Sequence, residues 1–392
     1  MQSNQTQPSE TFDSLRVAAE RLLSAALNNS IEIERVECLT EAGRRNLLLR
    51  CFIQPIEGIP ASFIIKKVEG DNYDPDRANA SDTKRLFNDW VGSQFLNAIP
   101  SQVKHSPRFY GGDRLLGAIV IEDVQHRNSL VEPLLGSDRD RAEWALLEYA
   151  TCLGHLHGDT IGKAEEFRRL YRTFSPNKKF PQVSIDIAKY QSMLENLGIE
   201  IDRGCLQDLE AINKTVSNPH EFLCYIHTDA CPDNVLDTGT QLRLIDFETG
   251  CFGHALLDMV FGRMMFPSCW CSNRIPDTMV KQMEHTYREI LIKHCRVAED
   301  DNVFNAALVD ACGIWLLETL LSVKFVLDKD RDFGISTIRQ RILARLSAFI
   351  ATSQEFNRLP NLRSTSNKLL DLFGKQWSDI APLPLYPAFL EQ

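Results

Sequence analysis

The pattern of apolar and polar positions divides the chain into a strand-rich first part and a helix-rich remainder. Helically spaced apolar residues predict helices at residues 11–28 and 83–97. Between and after them, short apolar runs rich in leucine and β-branched residues predict strands at residues 31–39, 46–54, 62–68 and 115–121. We expect the first ten residues to be a disordered tail.

Beyond the last of these strands the apolar spacing is mostly helical. A long stripe covers residues 139–158, helical patches occur near 183–197, and further helices are predicted at 255–265, 277–295, 304–327, 336–351 and 367–373. A chain of 392 residues is long for one core. We therefore predict an α+β protein with two lobes: a β-rich N-terminal lobe at 1–121 and a mainly helical lobe at 122–392.

Composition and charge restrict the possible classes of function. The net charge of −10 argues against a nucleic-acid-binding protein, which needs a basic face. The best candidate for a membrane span, residues 314–327, contains Glu318 and Lys324, so no membrane association is expected.

The chain has 11 scattered cysteines, and no apolar leader precedes them. These features predict a cytoplasmic protein whose cysteines are small core residues. Cys269 and Cys271 are interpreted as packing residues, because their spacing is wrong for a zinc site.

One stretch concentrates the candidate chemistry. An apolar run at 222–226 is followed by His227, Asp229 and Asn234, and a second run at 242–247 contains Asp246 and precedes Glu248. Turn residues at 237–240 predict a short hairpin between them. Polar side chains at strand ends can face a cleft while the backbone is buried.

These residue types suit phosphoryl transfer. Asp246 and Asn234 supply the hard oxygen ligands that Mg²⁺ prefers. Asp229 can accept the proton of an acceptor hydroxyl or orient that hydroxyl, whereas His227 is better interpreted as a brace for the loop. Each residue alone is ordinary, since a single aspartate after a strand is more often a cap or turn residue. The combination favours function.

The two motifs, H-x-D-x-x-x-x-N and I-D-F-E, resemble those of the aminoglycoside phosphotransferase and choline kinase family, small-molecule kinases with a protein-kinase-like fold. The resemblance implies that Asp229 is the catalytic carboxylate, that Asn234 and Asp246 bind the metal, and that ATP and Mg²⁺ are the cofactors. Glu248, where protein kinases have glycine, favours the small-molecule branch.

The same resemblance assigns residues in the N-terminal lobe. Lys66 is implied to bind the nucleotide phosphates, although the sequence leaves Lys67 as the alternative because the strand register is not fixed. Asp89 is the candidate partner of that lysine, where the family has glutamate. Its shorter side chain leaves open whether the pair is direct, water-bridged or absent.

Four further residues are carried over from the family. Glu122 and Val124 occupy the hinge between the lobes, whose backbone binds the adenine edge. Gly43 lies in a turn that corresponds to the phosphate-covering loop; with a single glycine, this turn taken alone is more typical of an ordinary hairpin. Asp258 matches a structural aspartate that braces the catalytic loop.

The sequence therefore predicts an ATP-dependent enzyme that transfers the γ-phosphate to a hydroxyl of a small molecule. An amino sugar, a choline-like amine, another sugar and an amino alcohol are all compatible acceptors. Two alternatives stay open: a non-catalytic nucleotide-binding regulatory protein on the same fold, and a protein kinase acting on serine or threonine. The oligomeric state is not readable from the sequence.

Overall fold

The structure is a computed structural model that describes residues 8–40, 44–124, 128–175 and 183–390. The chain divides into two compact units. Unit 1 comprises Met1–Arg127, Glu165–Lys179 and Arg243–Gly250, and unit 2 comprises Asn128–Ala164, Phe180–Leu242 and Cys251–Gln392.

The described residues form the following regular elements. The helices are α1 (Pro8–Leu27), α2 (Ser81–Ala98), α3 (Val131–Leu135), α4 (Arg139–Thr160), α5 (Ala164–Phe174), α6 (Ile187–Asn196), α7 (Arg203–Ser217), α8 (Leu256–Met259), α9 (Asp277–Leu291), α10 (Asp301–Leu320), α11 (Ile338–Glu355) and α12 (Pro360–Gln376). The strands are β1 (Ile33–Cys38), β2 (Asn46–Ile53), β3 (Ser62–Val68), β4 (Phe109–Asp113), β5 (Ala118–Glu122), β6 (Asn128–Ser129), β7 (Leu223–Ile226), β8 (Val235–Asp237), β9 (Leu242–Leu244), β10 (Cys251–His254), β11 (Asp332–Phe333) and β12 (Ser336–Thr337).

Unit 1 is built on a five-stranded antiparallel sheet in the order β1-β2-β3-β5-β4. The central strand β3 is buried on both faces, so its side chains alternate between two apolar clusters. Phe63 and Ile65 join Leu23 of α1 in one cluster, whereas Val68 packs with Phe87 of α2 in the other. Lys66 is two residues from Val68 and shares its face of the sheet.

Helix α5 belongs to unit 1 although it follows α4 of unit 2 in sequence. The ring of Phe174 lies 5.1 Å from the rings of both Phe87 and Trp90, and Phe167 lies 5.3 Å from Phe95. These aromatic contacts cover the outer face of α2, so the helix that carries Asp89 is packed on two sides.

Unit 2 is mainly helical. Helix α4 packs against α9, and α11 packs against both α10 and α12. Strands β7 and β10 form a buried antiparallel pair, with Ile226 opposite Cys251. Within the described residues, Asp301–Phe325 is long and apolar enough to cross a bilayer, and 72% of its most apolar window is buried in the structure, as in a core helix.

The predicted α+β class, with a β-rich first part and a mainly helical remainder, is confirmed. Strand β3 has the predicted bounds, and β1, β2 and the long helices lie close to theirs. Helix α1 begins at Pro8, earlier than predicted, and the rest of the predicted tail lies outside the described residues.

Other boundaries were predicted wrongly, for identifiable reasons. The strand expected from residue 115 begins at Ala118, because Leu115 is 83% exposed and its N–H donates to Asp113 in a turn. The helix expected at 255–265 ends at Met259, and the chain then turns through Met265 and Phe266, both at positive φ. The pattern also missed β4, β10, α5 and α7.

A buried histidine at the end of β10 makes the stability of unit 2 depend on pH. The ring of His254 stacks on Phe222, with ring centroids 4.8 Å apart, and its Nδ1 lies 3.3 Å from the backbone N of Leu256. Burial, with a smaller contribution from the nearby His157, lowers the pKa of His254 to about 3. The folded protein therefore keeps this imidazole neutral where an unfolded chain would protonate it.

We predict that acidification destabilises the protein through His254. Because the pKa is lower in the folded state, the unfolding free energy falls as the pH drops below about 6.5, by about 2 kcal/mol at pH 5 from this group alone. Urea unfolding across this pH range measures the slope. His254→Gln should flatten it, whereas His285→Gln, at a side chain that is 74% exposed, should not. Equal slopes in all three proteins would contradict the prediction.

Candidate active site

The ammonium of Lys66 lies between two carboxylates in unit 1. Its Nζ is 2.7 Å from Oδ2 of Asp89 and 2.6 Å from Oδ1 of Asp246. Lys67 points to the other face of β3 and pairs with Glu69 at 2.6 Å. The alternation of side chains along the strand thus places Lys66, and not Lys67, beside Asp89.

Asp89 pairs directly with the lysine despite having a shorter side chain than glutamate. It is 3% exposed, and its second oxygen accepts a hydrogen bond from the backbone N–H of Phe247 at 3.0 Å. One turn of α2 therefore holds both the lysine and the loop that carries Asp246. Asp246 itself has a φ of 68°, a left-handed conformation that aspartate tolerates better than most residues.

The pKa of Lys66 reflects this enclosure. Burial alone would lower the pKa of the ammonium, but the charges and hydrogen bonds of Asp246 and Asp89 more than offset it, and the pKa lies above its ordinary value. Lys66 is therefore a permanent cation in this site at neutral pH.

Glu248, in the loop that carries Asp246, pairs with two arginines. Its Oε1 lies 3.1 Å from Nη1 of Arg85 and 3.3 Å from Nη2 of Arg45, and its backbone carbonyl accepts from Asn88. Burial, followed by repulsion from Asp246, raises the pKa of Glu248. The residues around it enclose a small cavity, lined by Arg45, Asn46, Lys66, Val68, Asp82, Arg85, Leu86, Asp89 and Glu248.

The sequence prediction did not include Arg45 or Arg85. Arg85 lies one helical turn before Asp89, so helical spacing could have placed it on the same face. Arg45 adjoins a turn with no distinctive pattern. Together with Lys66, these side chains give the cavity three cations, and three carboxylates, Asp82, Asp89 and Glu248, line it as well. An anionic ligand such as a phosphate chain would compete with Glu248 for the two arginines.

The predicted adenine-binding positions lie at the end of β5. The carboxylate of Glu122 accepts from Nη1 of Arg243 at 2.8 Å and from the backbone N–H of Arg108 at 2.9 Å. Burial alone would raise the pKa of Glu122, but these hydrogen bonds lower it below the ordinary value. Val124 is buried. Gly43, the predicted phosphate-loop glycine, lies outside the described residues.

The H-x-D motif of unit 2 follows directly after β7, and a buried carboxylate fixes its backbone. Oδ2 of Asp258 accepts from the N–H of His227 at 2.6 Å, and Oδ1 accepts from the N–H of Thr228 at 2.9 Å. Thr228 has a φ of 62°, so the chain turns sharply at this point. The turn brings Asp229 out of the core to a half-buried position.

The carboxylate of Asp258 is itself held by a chain of buried side chains. Nε2 of His157 lies 3.3 Å from Oδ2 of Asp258, and its Nδ1 lies 2.8 Å from the hydroxyl of Tyr287. None of these groups is exposed to solvent. Because every member has a partner, the network gives the loop one defined conformation.

Asn234 and His227 fix the backbone of Asp229. The amide nitrogen of Asn234 donates to the carbonyl of Asp229 at 2.9 Å, and the N–H of Asp229 donates to Nδ1 of His227 at 3.3 Å. Because a carbonyl can only accept, the Asn234 nitrogen must face it. The Oδ1 of Asn234 then points elsewhere and is available to a cation. His227 is fully buried, as its predicted role as a brace requires.

The carboxylate of Asp229 contacts a second segment of unit 2. The hydroxyl of Ser268 donates to its Oδ1 at 2.5 Å, and Sγ of Cys231 lies 3.0 Å from the same oxygen. Cys231 and Cys269 form a disulfide, with Cα atoms 5.5 Å apart. The interpretation of Cys269 as a packing residue was therefore wrong. In the disulfide Cys231 has no proton to donate, so Ser268 is the donor to this oxygen.

The oxygen atoms of Asp246 and Asn234 suit Mg²⁺ chemically. Both side chains offer hard donors, and both are partly open to solvent. Among the described residues, no group of three or more His, Cys, Asp or Glu side chains is placed to hold a metal.

No protein-family model and no curated protein sequence matches the chain. It is similar to solved structures of small-molecule kinases. A choline kinase from Cryptosporidium parvum shares 12% identity, with 92% of this chain and 96% of that chain covered and a TM-score of 0.47. A Plasmodium vivax ethanolamine kinase shares 14%, with 88% and 91% covered and a TM-score of 0.47. A thermostable mutant of an aminoglycoside phosphotransferase shares 12%, with 86% and 98% covered and a TM-score of 0.40.

We predict that Lys66→Met lowers the unfolding free energy by about 3–5 kcal/mol, because it leaves two neighbouring carboxylates without their shared cation. Lys67→Met is the matched control: it removes a partly exposed ion pair on the same strand and should cost about 1 kcal/mol or less. Urea unfolding at pH 7 measures both changes. Equal losses in the two variants would show that the enclosed ammonium has no special structural role.

Proposed function

We propose that the protein is an enzyme, an ATP- and Mg²⁺-dependent phosphotransferase that moves the γ-phosphate to a hydroxyl of a small molecule. The observation that carries the proposal is the Lys66 ammonium, held within hydrogen-bond distance of both Asp89 and Asp246. A lysine fixed between two carboxylates is a positioned point charge for a phosphate chain, and Asp246 is then placed for the accompanying cation.

The roles in unit 1 follow from charge and position. Lys66 binds the α- and β-phosphates, and Asp89 orients it. The backbone of Glu122 and Val124 binds the adenine edge. Arg45 and Arg85 line a cavity next to Lys66 and could transfer hydrogen bonds from Glu248 to a phosphate chain.

Asn234 and Asp246 would hold Mg²⁺ through their side-chain oxygens. When bound, the cation neutralises the negative charge of the transferring phosphoryl group. Asp229 accepts the acceptor's hydroxyl proton or orients that hydroxyl for in-line attack. Asn234 and His227 fix its backbone, and Asp258 fixes the two residues before it, while its carboxylate remains half-buried. This is the combination that a positioned proton acceptor needs.

The acceptor is proposed only as a class: a small hydroxyl compound such as an amino sugar, a choline-like amine, another sugar or an amino alcohol. The acidic balance of the chain is compatible with a cationic acceptor and disfavours nucleic acid. We propose a cytoplasmic location without membrane association, which is compatible with the nine free cysteines, seven of them buried. The Cys231–Cys269 disulfide is the feature that favours an oxidising compartment instead.

One feature favours the second candidate, a non-catalytic nucleotide-binding regulatory protein. The chain's own Ser268 occupies Oδ1 of Asp229, the carboxylate that an acceptor must reach. ADP release with a panel of aminoglycosides, amines, sugars and amino alcohols separates the two candidates. Metal-dependent release with at least one acceptor supports the enzyme, whereas ATP binding without turnover on any of them supports the regulatory protein.

We predict that Asp229→Asn lowers the rate of acceptor-dependent ADP release by about 10²-fold or more, because the amide cannot take the hydroxyl proton. ATP affinity, measured by calorimetry, should stay within about twofold, because the variant leaves the proposed ATP-binding residues unchanged. Asp140→Asn, at an exposed carboxylate in the first turn of α4, is the control and should retain full activity. Full activity of the Asp229 variant would remove this residue from the reaction.

A further inference from the structure

The contact between Ser268 and Asp229 has the form of an acceptor complex. In the proposed reaction an alcohol donates its hydroxyl hydrogen to the Asp229 carboxylate before its oxygen attacks phosphorus. Ser268 is an alcohol, it is exposed to solvent, and its hydroxyl already donates to Oδ1 of Asp229 at 2.5 Å. Both residues belong to unit 2, so the contact lies within one compact unit.

Several bonds hold Ser268 in this position. Its neighbour Cys269 is tied by the disulfide to Cys231, two residues after Asp229. The indole N–H of Trp270 donates to Asp233 of the same loop at 2.8 Å. The two residues that follow Ser268 are therefore fastened to the loop that carries Asp229.

Buried arginines hold the same segment from the core side. Nη1 of Arg341 donates to the carbonyl of Cys269 at 2.6 Å, and its Nη2 donates to that of Trp270 at 3.1 Å. Arg345 donates to the carbonyl of Met264 at 3.0 Å, just before the segment. Buried guanidinium groups with only neutral acceptors are costly, so their use here marks a segment whose backbone is held in one conformation.

We propose that Ser268 is a phosphorylation site of the protein itself, modified within the same molecule by the reaction that Asp229 supports. The inference rests on the proposed function. Oδ1 of Asp229 takes the Ser268 hydroxyl proton, and a bond forms between Oγ and the γ-phosphorus of ATP. The bond from that phosphorus to the β,γ-bridging oxygen breaks, and ADP leaves. A reactant held in the same molecule has a high effective concentration, which favours this reaction when no acceptor is present.

The modification would also stop the enzyme. Phosphoserine carries a charge of about −1.5 to −2 at neutral pH. Placed next to Asp229, it repels that carboxylate and fills the position of the acceptor hydroxyl. A small-molecule acceptor competes for the same oxygen and therefore protects Ser268.

The test incubates the full-length protein with radiolabelled ATP and Mg²⁺, without acceptor, and locates the phosphate by tandem mass spectrometry. We expect phosphate on Ser268, at a fractional rate that does not change with protein concentration. Asp229→Asn should slow the labelling by about 10²-fold or more. Reduction of the Cys231–Cys269 disulfide should slow it several-fold, because one of the bonds that hold Ser268 is lost.

Three serine variants separate modification from a positioning role. Ser268→Ala should remove the label, and Ser347→Ala, at an exposed serine on α11, should keep it. Ser268→Thr retains a hydroxyl and should give phosphothreonine at this position, a product that a purely structural role does not predict.

The outcomes also distinguish this inference from the proposed function. Acceptor-dependent ADP release without phosphate on Ser268 overturns the inference and leaves the enzyme. Labelling at other residues, or a rate that rises with protein concentration, overturns it too, since transfer then occurs between molecules. If neither ADP release nor labelling occurs with any acceptor, both proposals fail.

Discussion

The enclosed ammonium of Lys66 is the constraint on which the organisation of unit 1 depends. A lone buried ammonium is costly, so the fold must supply an opposite charge. It supplies two, and one of them, Asp246, is 180 residues away in sequence. This pairing explains why the short segment Arg243–Gly250 belongs to unit 1 although the chain on both sides of it belongs to unit 2. Lys66 and Asp246, the residues proposed to bind phosphate and metal, are thus parts of one electrostatic unit.

Unit 2 also depends on a buried carboxylate, which in this case fixes the backbone of a loop. The loop that carries Asp229, the proposed catalytic residue, leaves the core, and bonds to its backbone hold it in place. The buried carboxylate of Asp258 accepts hydrogen bonds from two consecutive backbone N–H groups, and the side-chain amide of Asn234 donates to the carbonyl of Asp229. These bonds all go to the backbone, and the carboxylate of Asp229 accepts instead from the hydroxyl of Ser268. Rigid backbone with an accessible side chain is the arrangement that positioned proton transfer requires.

The sequence predicted the parts of this site that are local and failed where distant segments meet. The H-x-D and I-D-F-E motifs could be read because their residues are close in sequence and follow recognisable strands. The choice between Lys66 and Lys67 could not be made from the sequence, because a register shift of one residue exchanges the faces of a strand. Arg45 and Ser268 were missed because their partners are distant in sequence. Their partners, Glu248 and Asp229, are 203 and 39 residues away, and no pattern along the chain records such contacts.

The contact of Ser268 with Asp229 gives the acceptor a defined competitor. A carboxylate has two oxygens, and within the described residues Oδ1 of Asp229 accepts the Ser268 hydroxyl while Oδ2 accepts no hydrogen bond. An acceptor can therefore bind in two ways: it uses Oδ2 beside an undisturbed Ser268, or it displaces the serine from Oδ1. In the first case Ser268 orients the carboxylate and its removal weakens turnover. In the second, the Ser268 hydroxyl already occupies Oδ1, and a substrate must displace it in order to bind there. Ser268 is exposed to solvent, so an acceptor that displaces its hydroxyl from Oδ1 need not disturb the core.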